Sequence, residues 1–339
     1  MISIKEKVEL APFTTMGVSA LARYFVECIN EEDLLQACTF AKKNNLDVLV
    51  LGEGSNILFV KDYEGLIILN RIKGFTIVQE DNESVTLKIG AGENWHSLVI
   101  WSVEKGYSGI ENLSLIPGTV GAAPIQNIGA YGVELKEVFV ELEALHLETM
   151  EHTIWTKEQC KFGYRDSIFK RELKGKVIIS SVTLKLSKMA VPRFEYASLK
   201  QKLEEKGIHN PGIKDVSDAV IEVRQSKLPD PNEIGNTGSF FKNPVISVFH
   251  FDELKKEHPK LPGYAVTEHL VKVPAGWLIE QAGWKGKRKG DAGVHDKQAL
   301  VLVNHGNATG KEMWNLALQV VQVVKQKFGI ELNPEVNII

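Results

Sequence analysis

Apolar residues in this chain change their period as they run, and the changes mark out its elements. Leu34, Leu35, Cys38 and Ala41 recur at helical spacing behind Asn30, with Glu31, Glu32 and Asp33 filling the first turn. That pattern predicts a helix capped by Asn30, because an Asn side chain accepts a first-turn N–H and acidic groups suit the positive end of a helix. The short apolar run at 47–51 predicts a strand that feeds directly into Gly52. Strand, helix, strand and glycine turn together predict a small α/β unit with a ligand loop at a strand's C-terminal end.

From 63 to 187 the period shortens to that of strands, in runs at 65–69, 84–89, 137–147 and 176–186, broken by one helix-like stretch at 95–106. Between 191 and 216 proline, lysine and glutamate accumulate and the periodicity fades, which predicts a boundary near 216. Ser217 and Asp218 then predict a helix start, running to about Ser226. Met313, Leu316, Val320, Val324 and Phe328 form one apolar stripe, closed by Gly329 as a left-handed C-terminal residue. The final ten residues read as a strand interrupted by Pro334.

At 339 residues the chain exceeds what one hydrophobic core usually organises, so two or three domains are expected. A net charge of −3 supplies no general field for nucleic acid. The three cysteines, Cys28, Cys38 and Cys160, show neither disulfide nor metal-site spacing, and their odd number fits a reducing compartment. The N-terminal residues hold no apolar targeting core, and no run of about 18 apolar residues occurs. The expectation is a soluble cytoplasmic protein with no nucleic-acid or membrane partner.

The chemistry concentrates in two glycine-bearing stretches. The first, LIPGTVGAAPIQNIGAYG at 115–132, is apolar, rich in glycine and proline, and has Tyr131 as its one ionisable side chain. Such a loop suits a surface pressed against a large flat ligand, since glycine permits positive φ and close main-chain approach. Read alone, it could also be a buried turn between strands. The second, GEGSNIL at 52–58, offers main-chain N–H groups, the Ser55 hydroxyl and the Asn56 amide as a phosphate cradle. It is not a Rossmann fingerprint, because Ile57 stands where the third glycine belongs, and 90–95 fails at the same position. No phosphate-binding P-loop, HExxH or EF-hand pattern occurs, and Gly238-Ser239 lacks the second glycine of a nucleophile elbow. The scattered histidines form no metal pair.

These two stretches, in this order, resemble the flavin core of the UDP-N-acetylenolpyruvoylglucosamine reductase family. CKFGYRDSIFK at 160–170, GNTGSFFKNPV at 235–245 and LNPEVNI at 332–338 are similar to further segments of that family. PRFEYASL at 192–199 is similar to the extra loop of its longer subtype, which carries a tyrosine over the substrate. The likeness spans nearly the whole chain. It implies an α+β architecture: two FAD-binding subdomains of the vanillyl-alcohol oxidase type at 1–70 and 71–216, and a third α/β substrate-binding domain at 217–329. The strand 330–339 would return near the active site.

The resemblance further implies FAD, bound without a covalent link because the 52–56 loop has no histidine, and NADPH as co-substrate. FAD contacts carry over to Gly52, Glu53, Gly54, Ser55, Asn56, Ile57, Pro117, Gly118, Thr119, Gly121, Ala122, Asn127, Gly129, Tyr131, Ile179 and Arg224. NADPH would reduce FAD and leave, after which flavin N5 would deliver hydride to C3 of an enolpyruvyl ether on UDP-N-acetylglucosamine. Charge would flow into the neighbouring carboxylate before C2 is protonated, giving UDP-N-acetylmuramate for peptidoglycan synthesis.

Arg165 would grip that carboxylate, Glu335 would act on the same side, and Ser239 would protonate C2. Read alone, Arg165 is a surface strand arginine beside Asp166, Ser239 a turn residue and Glu335 a solvated acid. Facing a carboxylate, Glu335 must carry a proton or work through Arg165 or water. Tyr131, Tyr196, Lys227, Asn243, Lys285 and Gln298 would hold the nucleotide sugar, with no metal. Asn337 stands where members of the family often place an arginine against the flavin. The resemblance also implies a monomer. Two rivals are a flavin oxidase of the same superfamily and a flavin or nucleotide-sugar binder without turnover. The joint presence of Arg165, Ser239 and Glu335 argues against both.

Overall fold

Residues 2–339 are described by a computed structural model. The Asn30 cap forms as the pattern requires: its side chain accepts the Asp33 N–H at 2.8 Å, and the Asp33 carboxylate accepts the Ile29 N–H at 3.0 Å. Helix α1 (Glu31–Lys43) buries Leu34, Ala37, Cys38 and Ala41, while Leu35 lies at its exposed edge. That apolar face packs on a four-stranded sheet with order Lys5–Glu9, Leu21–Cys28, Tyr63–Asn70, Val48–Leu51. Val48–Leu51 runs parallel to Leu66–Leu69, so its end delivers the chain into Gly52.

A five-stranded antiparallel sheet follows, ordered His152–Thr156, Phe139–His146, Val177–Ser187, Ser84–Gly90, Phe75–Glu80. Alternation places Val85, Leu87 and Ile89 inward, against helix α2 (Trp95–Glu104). Trp95 fills the middle of this core and donates its indole N–H to the Leu113 carbonyl at 3.0 Å. Two further helices, α3 (Ala197–Glu205) and α4 (Ile213–Lys227), pack through Leu199, Leu203, Val216, Ala219 and Val220. The boundary expected at 216 falls inside α4. Ser217, expected to cap a helix, is buried in its interior and shares a 2.8 Å hydrogen bond with the Ser114 hydroxyl.

The chain divides into two compact units. The first takes the chain up to Val8, Ala22–Glu53 and Glu64–Ser226. The second takes Glu9–Leu21, Gly54–Tyr63 and Lys227–Ile339, so two early segments belong to the later half. Its four-stranded sheet has the order Gly235–Ser239, Val301–Asn304, Ala292–Val294, Arg288–Lys289. A three-stranded sheet orders Val245–Ser247, Leu270–Lys272, Tyr264–Thr267. Helices α5 (Val248–Glu257), α6 (Ala275–Gln281) and α7 (Gly310–Phe328) complete the unit.

The predicted stripe on α7 is buried throughout, and the helix starts on a Thr309/Glu312 capping box. Gly329, at φ +66°, closes it by donating to the Lys325 carbonyl. Only Asn337–Ile338 of the last ten residues forms a strand, pairing in parallel with Ile57–Leu58, and Pro334 makes a single bridge to Phe241.

The first turn of α7 presses directly on this early segment. A Cβ at Gly310 would sit 1.7 Å from the Phe59 carbonyl oxygen. Backbone cannot step aside as a side chain can, so Gly310→Ala is expected to destabilise the fold by about 1–3 kcal/mol or more, read as a melting temperature lowered by several degrees. An unchanged melting curve would contradict that packing.

The three cysteines are free and buried, and burial pushes each thiol up to about 12. They are inert packing groups at neutral pH. Among the described residues no helix is long and apolar enough to cross a membrane, and no group of acidic, His or Cys side chains could hold a metal.

Candidate active site

In the first unit the two glycine stretches are tied together by one carboxylate. Glu53 accepts the Gly118 N–H at 2.8 Å and the Asn94 amide at 2.5 Å. Asn94 in turn caps α2, accepting the Ser97 N–H at 2.7 Å, and bridges to Thr119. Two glycines are fixed here by close approach: a Cβ on Gly52 would lie 2.4 Å from the Thr119 hydroxyl, and one on Gly121 would lie 2.5 Å from the Ala91 side chain. Pro117 and Ala122 are exposed beside them. Leu115, Asn127 and Tyr131 hold positive φ without being glycine, as does Arg165. Such strain persists only where surroundings over-determine it, and it collects at binding sites.

Asn127 is buried and spends its side chain internally, donating to the Gly163 carbonyl and the Glu134 carboxylate and accepting the Lys136 N–H. It therefore shapes the loop. Arg165 is half-buried, donates to the Gly129 carbonyl at 2.5 Å and lies 5.6 Å from the Tyr164 ring centre. Asp166 pairs with Arg171 at 3.2 Å. Arg224 projects from α4 with its Nε buried and lacking a hydrogen-bond partner among the described residues. Burial lowers the Arg224 pKa; Tyr131 opposes that shift and the nearby charge of Arg165 adds to it. Burial raises the Tyr131 phenol, which Arg224 pulls back down and Tyr196 pushes further up. Tyr131 meets the Tyr196 ring edge-on at 5.3 Å. Ile179 is buried in the central strand, its carbonyl accepting from the buried Asn70 amide at 3.0 Å.

Sequence reasoning passed over His96 in this cluster. Its Nδ1 accepts the Leu115 N–H at 3.0 Å, which makes the ring neutral with its proton on Nε2. Burial and the Arg224 charge both lower its pKa, holding it neutral. Its place two residues after an Asn cap was the available signal.

In the second unit the 54–57 turn packs against residues 13–15. A Cβ on Gly54, at φ +61°, would lie 2.1 Å from the Phe13 carbonyl oxygen, and Gly54 accepts the Thr15 N–H. Asn56 donates its amide to the Glu335 carbonyl at 3.4 Å. The Asn56 carbonyl accepts both the main-chain N–H of Asn337, at 3.1 Å, and its side-chain amide, at 3.0 Å. Asn337, which stands where the family often places an arginine, thus anchors the turn. Ile57 is buried in the short parallel pair. Ser55 is half-buried.

Ser239 ends its strand just after Gly238, at φ +66°, where the ladder to Val301–Asn304 breaks register. The buried Asn236 sets that break by accepting the Gly238 N–H at 2.9 Å. The following Phe240 accepts the Glu335 N–H at 2.9 Å, and Lys242 donates its N–H to Asn333. Glu335, 96 positions after Ser239 in sequence, is thereby hydrogen-bonded through its main chain beside the end of the Ser239 strand. Thr237 on that strand has a buried hydroxyl without a hydrogen-bond partner among the described residues, as does Thr14.

Asn243 accepts the Ala275 N–H at 2.9 Å, and Gln298 lies against Gly276, so both meet at the start of α6. Lys285 pairs with Glu280 at 2.9 Å on the far end of that helix. Lys227 is exposed at the end of α4.

The donor set of each unit suits an anionic dinucleotide cofactor. Glycines hold backbone close to backbone in both turns, and buried donors at Arg224, Thr14 and Thr237 lack internal acceptors. Buried polar groups are nearly always paired, so these groups fit a ligand rich in acceptor oxygens and ring carbonyls.

Residues 22–149 match the FAD binding domain family, and residues 230–339 match the family described as UDP-N-acetylenolpyruvoylglucosamine reductase, C-terminal domain. The UDP-N-acetylenolpyruvoylglucosamine reductase of Flavobacterium johnsoniae is 48% identical over 340 residues, covering the whole of both chains. That of Amoebophilus asiaticus is 49% identical over 338 residues, again covering both chains fully. The crystal structure of UDP-N-acetylenolpyruvylglucosamine reductase (MurB) from Thermus caldophilus superposes with a TM-score of 0.68 at 25% identity, covering 100% of this chain and 99% of that one. On full-length identity and on matching domains at both ends, the chain belongs to the UDP-N-acetylenolpyruvoylglucosamine reductase family.

Proposed function

We propose that the protein uses NADPH to reduce UDP-N-acetylglucosamine enolpyruvate to UDP-N-acetylmuramate, a step of peptidoglycan synthesis, in the cytoplasm and as a monomer with non-covalent FAD. The observation that carries the reading is the hydrogen bond from the Glu335 N–H to the carbonyl of Phe240, the residue after Ser239, in a chain of this family. Ser239 and Glu335 are among the residues that the chemistry needs.

Bound FAD would supply the hydride chemistry between the nicotinamide and the enol ether. Gly52, Gly54, Ser55, Asn56, Gly118, Thr119, Gly121 and Arg224 would hold it. An enol ether accepts hydride at C3 only if negative charge can pass into the adjacent carboxylate. Arg165, with a permanent charge and a planar fork already oriented by the Gly129 carbonyl, is suited to receive that charge. Ser239 then delivers a proton to C2 from a segment held in place by Asn236 and by the Glu335 N–H. A serine is a weak acid, and the carboxyl group of Glu335 would act on the substrate-carboxylate side of the same reaction. Tyr131, Tyr196, Lys227, Asn243, Lys285 and Gln298 would bind the nucleotide sugar, with Tyr196 on the loop of the longer subtype. NADPH and the sugar would use one site in turn, giving ping-pong kinetics.

An anaerobic absorbance trace tests this reading. Bleaching of the flavin band by NADPH and its recovery on adding the enolpyruvyl sugar are expected; bleaching without recovery would remove the substrate.

Glu53 ties the cofactor loop to the start of α2. Glu53→Ala frees the Gly118 N–H and the Asn94 amide, so the apoprotein is expected to bind FAD about 10–100-fold more weakly, the loss typical of a charged acceptor. Fluorescence quenching of FAD measures it, and an unchanged affinity would show that the clasp is dispensable.

A further inference from the structure

The geometry points to Asn112 as a positioning residue that latches the irregular segment 188–196 onto the cofactor loop and so sets Tyr196 against Tyr131. Asn112 is only 1% exposed, and its amide donates to two main-chain carbonyls from distant parts of the chain: Tyr131 at 3.1 Å and Arg193 at 2.8 Å. An Asn amide has two N–H donors, and each has one partner here.

The anchor beneath it is rigid. Glu111 accepts the Ser108 hydroxyl and the Gly109 N–H, and the Trp95 indole holds the Leu113 carbonyl. What Asn112 grips is not rigid by itself. Tyr131 sits at φ +48°, and the strap carries Met189 and Val191 at 64% and 77% exposure, with no helix or strand between Ser187 and Ala197. Arg193 adds a side-chain pair with Glu137, and the Tyr131 and Tyr196 rings meet at 83°.

Because both latch acceptors are main-chain oxygens, the latch fixes the strap's path without using its side chains. Losing the amide would let Tyr196 leave Tyr131, and substrate would bind more weakly without any change in flavin reduction. That last consequence rests on the proposed function; the latch itself does not.

The test uses the full-length FAD-loaded protein and its Asn112→Ala variant. Tryptic cleavage after Arg193 is expected to quicken about tenfold, the effect of one or two net hydrogen bonds, while cleavage elsewhere is unchanged. KM for UDP-N-acetylglucosamine enolpyruvate is expected to rise by a similar factor, with the rate of flavin reduction by NADPH unaltered. Unchanged cleavage after Arg193 overturns the latch. Faster cleavage in a protein whose wild type never turns over that sugar keeps the latch and overturns the proposed function.

A measurement on the wild type covers the case of a variant that does not fold. With selective 15N-Asn labelling, the Asn112 side-chain amide protons are expected to exchange far more slowly than those of the exposed Asn82. Equal exchange overturns the proposal.

Discussion

Ser239→Ala is expected to leave flavin reduction by NADPH within about twofold of wild type and to slow reoxidation by the enolpyruvyl sugar by ~10²–10⁴, the range for a lost general acid. The split follows from where the serine stands. Ser239 is half-buried at a strand end, outside the core made by Phe240 and Phe241, so removing its hydroxyl opens no cavity. The register break at Asn236–Ser239 and the Phe240–Glu335 hydrogen bond are main-chain features that survive the change. Stopped-flow absorbance separates the two half-reactions directly. Equal slowing of both would mean that Ser239 supports the cofactor and does not protonate C2.

Arg165→Lys is expected to fall on the same half-reaction by ~10²–10³, despite keeping the charge. One guanidinium nitrogen is already committed to the Gly129 carbonyl, and Gly129 is glycine partly because a Cβ there would lie 3.1 Å from the same guanidinium. A fork can hold the loop and grip a carboxylate together. An ammonium is a point donor on a flexible stem and must choose between them. The variant should also relax the strained Arg165 backbone and the 127–132 loop, so a modest loss of FAD affinity accompanies the kinetic defect. Activity within tenfold of wild type would exclude the double role.

Elements with local signals were legible in the sequence. Helices α1 and α7 carry their own caps and stripes, and both stand where Asn30 and Gly329 placed them. Helix α3 carried no helix signal of its own, and α4 was expected only from Ser217, four residues after its start at Ile213. Their apolar residues are few and set among lysines and glutamates, and they gain helical stability by packing on one another beside Tyr131, a tertiary contact with no local trace. The same divide runs through the site. Glycines at 52, 54 and 121 were visible because close backbone approach admits nothing larger. The clasp of Glu53, the latch of Asn112 and the bond of Glu335 to Phe240 depend on partners 65, 81 and 95 positions away, which spacing cannot reveal. Asn337, legible only as a departure from the family's arginine, turns its amide to the Asn56 carbonyl.

The interleaving of the two units bears on how the chain folds as it is made. Ile57 pairs with Asn337, and Phe59 packs on Gly310. At roughly 5–20 residues per second, the ribosome needs roughly 14–56 s to span the intervening chain. For much of that time Met16, Val18 and Leu58 lack most of the second unit's core in which they end, including Leu302, Met313 and Val336. The first unit must therefore form with two unsatisfied apolar excursions, at 9–21 and 54–63, on its nascent surface. These segments are where trigger-type chaperones would be expected to hold the growing protein, and no cut between Ser226 and Lys227 can release a C-terminal fragment that owns its whole core.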